Sequence, residues 1–153
     1  MHFLASLITV ILAVNVHVNA RPQGASDDPA AQDEGAANVD AATVESLTPE
    51  YGVEAGVNDD GSGNCETPIA PAKIPCTCPP PRDEFLTALT EAVQSGETFG
   101  LPAPFPTDDD PDSEKTRLTT MLSVLQNIDG GVGQGCPAIA TTYKQRIDEI
   151  DGA

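Results

Sequence analysis

Four cysteines carry most of the chemistry available to this 153-residue chain: Cys65, Cys76, Cys78 and Cys136. As thiolates they could bind a metal or attack a substrate, and as oxidised pairs they would cross-link the chain. Cys76-Thr77-Cys78 lacks the two-residue spacer of thioredoxin-like redox motifs, and metal sites of this kind commonly include histidine ligands. The spacing therefore favours two disulfides over a redox or metal centre.

Four cysteines allow three different disulfide pairings. A bond between Cys76 and Cys78 would close a strained ring with little gain in loop entropy, so this pairing ranks last. The other two pairings close loops of nearly equal length, and chain entropy does not choose between them. We favour Cys65 with Cys76 and Cys78 with Cys136, because the second bond would then join the starts of two predicted helices.

Both histidines, His2 and His17, lie within residues 1–20. This leader has an apolar run at residues 3–14, shorter than the roughly 20 residues of a bilayer span, and it ends in small residues suited to cleavage after Ala20. We predict a signal peptide, secretion and no membrane insertion. Cleavage would remove both histidines, and with them Ser-His-Asp or Cys-His catalysis and the imidazole ligands of most catalytic zinc sites. We therefore predict no enzyme, no cofactor and no metal.

The densest cluster of carboxylates lies at residues 107–114. Asp108, Asp110 and Asp112 have the alternate spacing of a calcium loop, but the sixth position lacks glycine and the twelfth is Thr119. Acidic residues in the first turn of a helix each stabilise that helix by roughly 0.3 to 1 kcal/mol. This effect accounts for the cluster without any bound ion.

The chain is strongly acidic, with 24 Asp and Glu residues, 7 Lys and Arg residues and a formal net charge of −17 at pH 7. Nucleic acids and anionic membranes are polyanions and would repel such a chain. We expect an extracellular protein or a cell-wall component as the partner, and no nucleic acid.

The acidic residues are concentrated before the first cysteine. Residues 22–64 contain ten acidic residues and no basic residue, and their few large apolar residues follow no sustained period. Such a segment buries too little apolar surface to offset the entropy of ordering it. We predict that residues 21–64 form a disordered acidic segment, with at most a transient helical turn at residues 41–47.

Apolar residues recur at helical spacing three times in the remaining domain, residues 65–151. The first helix is predicted at residues 82–95, the second from Asp110 to Ile128, and the third from Cys136-Pro137 onward. No stretch alternates as a strand would. The sequence predicts an all-α fold, a small three-helix domain stapled by disulfides.

Two proline-rich stretches connect these elements. The first, at residues 65–81, predicts an extended, polyproline-like strap before the first helix. The second, at residues 96–109, predicts an ordered loop whose Phe99, Leu101 and Phe105 cover one end of the core.

Several short motifs follow one another in a fixed order: Ile74-Pro75-Cys76-Thr77-Cys78-Pro79-Pro80, the helix at residues 82–89, Phe105-Pro106-Thr107-Asp108, Leu125-Gln126-Asn127 and Gly133-Gln134-Gly135-Cys136-Pro137-Ala138. In these motifs the chain resembles a group of small secreted fungal proteins. The resemblance covers residues 74–142. It implies export and a shared domain, and no assigned activity.

These observations predict a secreted, non-enzymatic protein that acts outside the cell through surface contacts, as a cell-wall-associated or effector-like factor. The alternative is an inhibitor of a secreted hydrolase that presents the proline-rich loop at residues 99–106 to the enzyme. A rigid loop loses little entropy on binding, which favours this second hypothesis.

Overall fold

Four α-helices, one short 3₁₀ turn and two antiparallel strand pairs make up the described part of the chain. The computed structural model describes residues 39–69 and 71–153. The predicted signal peptide and the first part of the predicted disordered segment, residues 21–38, lie outside the described residues. The described part is mainly helical, but its strand pairs show that the expected all-α class was too narrow.

The first helix, α1, spans Ala41–Leu47 and lies within the segment predicted to be disordered. Asp40 caps it, because the backbone N–H of Thr43 donates to Asp40 Oδ1 at 2.8 Å. Val44 on this helix is fully buried, and three further residues of the segment join the same core: Val39, Tyr51 and Val53. The prediction of disorder was therefore wrong for residues 39–64.

The physical reason for this error is tertiary. The apolar residues of the segment are too few to form a core of their own, and they lack the period of a long amphipathic helix. They are buried because they pack against helices that the rest of the chain supplies, chiefly α2. Periodicity in the sequence shows which face of a helix is apolar. It does not show that a short segment will be buried against helices elsewhere in the chain.

A short hairpin occupies the proline-rich stretch predicted to be an extended strap. Strand β1, Asn64–Glu66, pairs antiparallel with β2, Lys73–Pro75, and Cys65 lies opposite Ile74 in the register. The first disulfide, Cys65–Cys76, closes this hairpin beside the paired strands. The stretch does fold back on itself as the preferred cysteine pairing implied, but as paired strands of three residues each.

Helix α2 spans Arg82–Ser95, the range predicted from its apolar period. Gly96 ends it in the left-handed conformation with φ 78°, which costs glycine little. Its buried face contains Phe85, Leu89, Ala92 and Val93.

A second hairpin follows directly, where an ordered loop was predicted. Strand β3, Glu97–Thr98, pairs antiparallel with β4, Leu101–Pro102. Beyond it, Ala103 and Phe105 are buried, as expected for a loop that covers the core. Phe99 and Leu101, by contrast, are 49% and 46% exposed, so the prediction that they cover the core was wrong.

Helix α3 spans Pro111–Asn127, with Asp110 as its N-cap and Pro111 as its first residue, as predicted. The backbone N–H of Asp112 donates to Asp110 Oδ1 at 2.9 Å. The helix buries four apolar residues: Leu118, Met121, Val124 and Leu125.

The third predicted helix begins later than expected. Residues Ala138–Ala140 form a 3₁₀ turn, and α4 spans only Tyr143–Gly152. The turn and the helix are separated by Thr141, which is extended, and by Thr142, whose backbone N–H donates to Tyr51 O at 2.7 Å. A hydrogen bond to the N-terminal segment thus takes the place of one that a continuous helix would make.

The second disulfide, Cys78–Cys136, joins the segment before α2 to the segment after α3, with 5.5 Å between the Cα atoms. Both cysteines are buried in the core. The structure therefore has the preferred pairing. The backbone just before Cys136 packs closely against α3, because a Cβ atom at Gly135 would lie 2.4 Å from Leu125 O.

Candidate functional site

All four cysteines form disulfides, which leaves no free thiol. A possible metal cluster in the described residues consists of Asp59, Cys65 and Cys76, with ligand atoms within 4.8 Å of one another. Both sulfur atoms of this cluster are bonded to each other, so neither is a thiolate that could bind a metal. In the structure the four cysteines act as two cross-links that brace the fold.

The acidic cluster at residues 107–114 lies at the start of α3 and contacts the backbone. Asp108 Oδ1 accepts from the backbone N–H of Asp110 at 2.9 Å, and a hydrogen bond from the Ser113 side chain lowers the pKa of Asp108. The side chain of Arg117 stabilises the same turn, because its Nη1 donates to Pro106 O and to Asp108 O, both at 2.8 Å. These contacts support the interpretation of the cluster as helix capping.

All six basic residues of the described part are engaged in internal contacts. Five lie beside carboxylates: Lys73, Arg82, Lys115, Lys144 and Arg146. The sixth, Arg117, donates to backbone carbonyls as described above. Acidic residues greatly outnumber these cations, so most exposed carboxylates have no cation beside them.

The tip of the second hairpin, residues 99–101, combines exposure with an unusual backbone. Phe99 has φ 48° and Gly100 has φ 76°. Positive φ at both central residues is the geometry of a two-residue type I′ turn, for which Asn-Gly is the favoured sequence. A bulky side chain in this conformation costs of order 1 to 3 kcal/mol. The backbone conformation of Phe99 and the exposure of its apolar ring are therefore both energetically unfavourable.

A groove of about 380 Å³ lies beside this tip, between the hairpin, α2 and α3. We call it the acidic groove. Its lining combines apolar residues with two exposed carboxylates and contains no Lys, Arg or His: Ala88, Glu91, Ala92, Ser95, Glu97, Thr98, Phe99, Val124, Asn127 and Ile128. It is an open surface that suits a docked side chain better than an enclosed substrate.

A second groove of about 300 Å³ runs between α1 and α2. It shares Glu91 with the acidic groove and adds the carboxylate of Glu45 together with the half-buried Leu86. A third, of about 440 Å³, is lined by Pro102, Pro104 and residues of α3 that include Lys115, which pairs with Asp151. Only the first two share a lining residue, and neither has a cation in its lining.

Two buried tyrosines form an aromatic cluster with Phe85. The rings of Tyr51 and Phe85 are 5.6 Å apart, and those of Tyr51 and Tyr143 are 6.2 Å apart. Burial raises the pKa of both phenols above the usual range, which keeps them neutral. The hydroxyl of Tyr143 donates to Pro49 O at 2.8 Å, whereas the buried hydroxyl of Tyr51 has no hydrogen-bond partner among the described residues. The cluster is a structural feature of the core.

Sequence reasoning missed the three side chains that define the acidic groove: Glu91, Glu97 and Phe99. Phe99 was expected to be buried because aromatic residues usually are. Gly100 does carry a turn signal, because glycine readily adopts the positive φ that two-residue hairpin turns require. The two glutamates carry no signal of their own, because single exposed carboxylates are common.

None of the helices in residues 39–69 and 71–153 has the length and apolar content needed to cross a membrane. No protein family, curated protein or solved structure matches this chain.

Proposed function

We propose that this is a secreted, non-enzymatic protein that acts outside the cell through surface contacts, either on the cell wall or as an effector-like factor on a host component. The observation that carries this proposal is the hairpin tip. Phe99 is half exposed and held at positive φ on a domain braced by two disulfides. Local strain that does not benefit the core is typical of residues kept for recognition.

Two further observations support the proposal. Disulfides are stable in the oxidising environment of exported proteins. Of the two disulfides here, one closes the first hairpin and the other links the segment before α2 to the segment after α3. The resemblance to small secreted fungal proteins points to the same compartment and assigns no reaction.

Retention on extracellular targets tests this proposal. The chain from residue 21 to residue 153 is incubated with insoluble cell-wall polysaccharide and, separately, with immobilised host extracellular proteins. The control is the same chain after reduction and carbamidomethylation, which keeps its charge but removes both disulfides. We expect the folded protein to be retained at least several-fold more than the control on one target. Equal retention of the two forms on every target would contradict surface recognition.

A second candidate function is inhibition of a secreted hydrolase. The observation in its favour is that the exposed part of the proline-rich loop is a rigid hairpin, with Phe99 and Leu101 accessible at its tip. The rest of the loop is held down, since Thr120 Oγ1 donates to Pro104 O at 2.7 Å and Phe105 is buried. An inhibitory contact would therefore use residues 97–102.

Inhibition is tested with a panel of secreted proteases and glycosidases at micromolar protein. Slowed turnover of one enzyme, restored by Leu101→Ala, would support this function. Unchanged rates across the panel would remove it.

A further inference from the structure

We infer that the acidic groove binds a basic amphipathic segment of a partner protein. One apolar side chain of that segment packs against Phe99, and its Lys or Arg side chains lie beside Glu91 and Glu97. This inference rests on the proposed function, because it names the partner of a surface that the proposal takes to be a recognition surface.

The first argument is the chemistry of the lining. Ala88, Ala92 and Ile128 give the groove an apolar floor, and Phe99 forms an aromatic side of it. Apolar surface of this kind gains free energy when a partner's side chain displaces water from it. A partner with apolar side chains fits this floor, whereas a cationic polysaccharide has none to insert.

The second argument is charge. Glu91 and Glu97 are exposed at the groove, and no basic residue lines it. The cations of the described part are all engaged with other groups, so none is free to neutralise these carboxylates. A partner that supplies cations would complete the electrostatics and would be attracted from a distance by the net charge of −17.

Charge also argues against two other occupants. A second copy of this chain would bring its own acidic surface against the groove. Residues 21–38 hold four acidic residues and one basic residue, so this segment would also be repelled. A basic partner is the occupant that the charges favour.

The third argument is the geometry of the neighbouring surface. The groove between α1 and α2 begins at Glu91, where the acidic groove ends, and adds Glu45 and the half-buried Leu86. The two grooves therefore repeat the same combination of carboxylate and apolar side chain. An amphipathic segment repeats its cations and apolar residues in the same way, which suits binding across both grooves.

Binding of defined peptides tests this inference. The probe is a 14-residue peptide of Leu and Lys with its leucines at helical spacing, and affinity is measured by titration calorimetry at low and moderate salt. Three ligands serve as comparisons: the same peptide with Glu for Lys, a Lys peptide without Leu, and a chitosan oligomer. We expect only the Leu–Lys peptide to bind tightly, and we expect added salt to weaken it.

Variants locate the site. Phe99→Asn creates the favoured Asn-Gly turn, so we expect an unchanged or higher Tm together with about tenfold weaker peptide binding. The double variant Glu91→Gln/Glu97→Gln should weaken binding by about three- to tenfold and reduce its salt dependence. Glu54→Gln removes an exposed carboxylate outside both grooves and should change the affinity by less than about twofold.

Several results would overturn the inference. The first is binding of the Glu peptide or the chitosan oligomer as tight as that of the Leu–Lys peptide. The second is an unchanged affinity in Phe99→Asn, or effects of the groove variants equal to that of Glu54→Gln. The third is a Tm of Phe99→Asn several degrees below that of the parent. A failure here combined with retention on an extracellular target would leave surface recognition in place and assign it to another face. The two proposals are therefore tested separately.

Discussion

At the residue scale, two tyrosines share one aromatic cluster but differ in what their hydroxyls contact. The hydroxyl of Tyr143 donates to Pro49 O, and that of Tyr51 is buried without a partner in the part of the chain that the structure describes. A buried polar atom without a hydrogen bond costs about 1 to 3 kcal/mol of stability, whereas a satisfied one contributes about 1 kcal/mol. The two residues therefore predict opposite results for the same substitution.

We expect Tyr51→Phe to raise the free energy of unfolding by about 1 kcal/mol, because it removes an unsatisfied hydroxyl and keeps the ring. Tyr143→Phe should lower it by about 1 kcal/mol, because Pro49 O loses a donor. Chemical denaturation of both variants checks this, and each variant is the control for the other. A loss of stability in both would show that Tyr51 has a partner, such as an ordered water.

A second residue-scale prediction concerns acid. Arg146 Nε donates to Glu114 Oε1 at 2.7 Å, and this hydrogen bond lowers the pKa of Glu114. A carboxyl group whose pKa is lower in the folded state stabilises the fold above its unfolded pKa of about 4.3, and this stabilisation is lost as the pH falls through the folded pKa. Stability from this pair is therefore present at neutral pH and disappears in acid.

Glu114→Gln should lower the Tm by about 1 to 4 °C at pH 7, since the pair is largely exposed. The difference from the parent should begin to shrink below about pH 4 and should disappear once the pH is below the lowered pKa of Glu114 in the fold, where the parent's carboxylate is also neutral. Thermal melts followed by circular dichroism from neutral to acidic pH measure it. A Tm difference that is the same at every pH would contradict the role of ionisation.

At the element scale, α1 is short and depends on its surroundings. Seven residues are too few for a helix to be stable alone in water, so packing of Val44 against α2 must supply most of its stability. The segment before the first disulfide is thus part of the domain.

Val44→Ala should lower the free energy of unfolding by about 2 kcal/mol, because it leaves a cavity at a fully buried site. Ser46→Ala on the exposed side of the same helix should change it by less than about 0.5 kcal/mol. Urea denaturation of the two variants makes the comparison. Equal, negligible effects would show that residues 39–64 do not pack on the core in solution.

The elements that could be predicted from the sequence are those that carry their own signal. Helices α2 and α3 have long apolar periods with a glycine stop or an Asp-Pro start, and both were predicted within one residue. The hairpins are two or three residues per strand, too short for alternation to be visible. The start of α4 was misplaced because a hydrogen bond to Tyr51, far away in sequence, decides it. The exposure of Phe99 was missed for a different reason: burial was expected from its aromatic side chain, and the short local hairpin that places it outside the core shows no alternation in the sequence.

At the scale of the whole molecule, the two disulfides constrain different lengths of chain. Cys65 and Cys76 are 11 positions apart and their bond holds one hairpin, whereas Cys78 and Cys136 are 58 positions apart and their bond encloses two of the helices. Loop entropy predicts a stabilisation of roughly 3 kcal/mol for the first and roughly 4 kcal/mol for the second. The second bond also lies in the core.

We expect Cys78→Ala/Cys136→Ala to destabilise the protein by more than Cys65→Ala/Cys76→Ala, with losses of about 4 and 3 kcal/mol. Denaturation of the two double variants under non-reducing conditions provides the measurement. A larger loss in Cys65→Ala/Cys76→Ala would mean that the hairpin, and not the link between the helices, is the main cross-link of the domain.

The contacts between the two ends of the domain also determine when folding can finish. Tyr51 O and Pro49 O accept hydrogen bonds from Thr142 and Tyr143, residues 91 and 94 positions later in the chain. The early partners are synthesised long before the late ones, so Tyr51 O and Pro49 O remain without these donors through most of translation. The core closes only when α4, the helix of ten residues that begins at Tyr143, has been added. A chain stopped before Tyr143 lacks both of these hydrogen bonds, so the early residues would have no late partners to close over them.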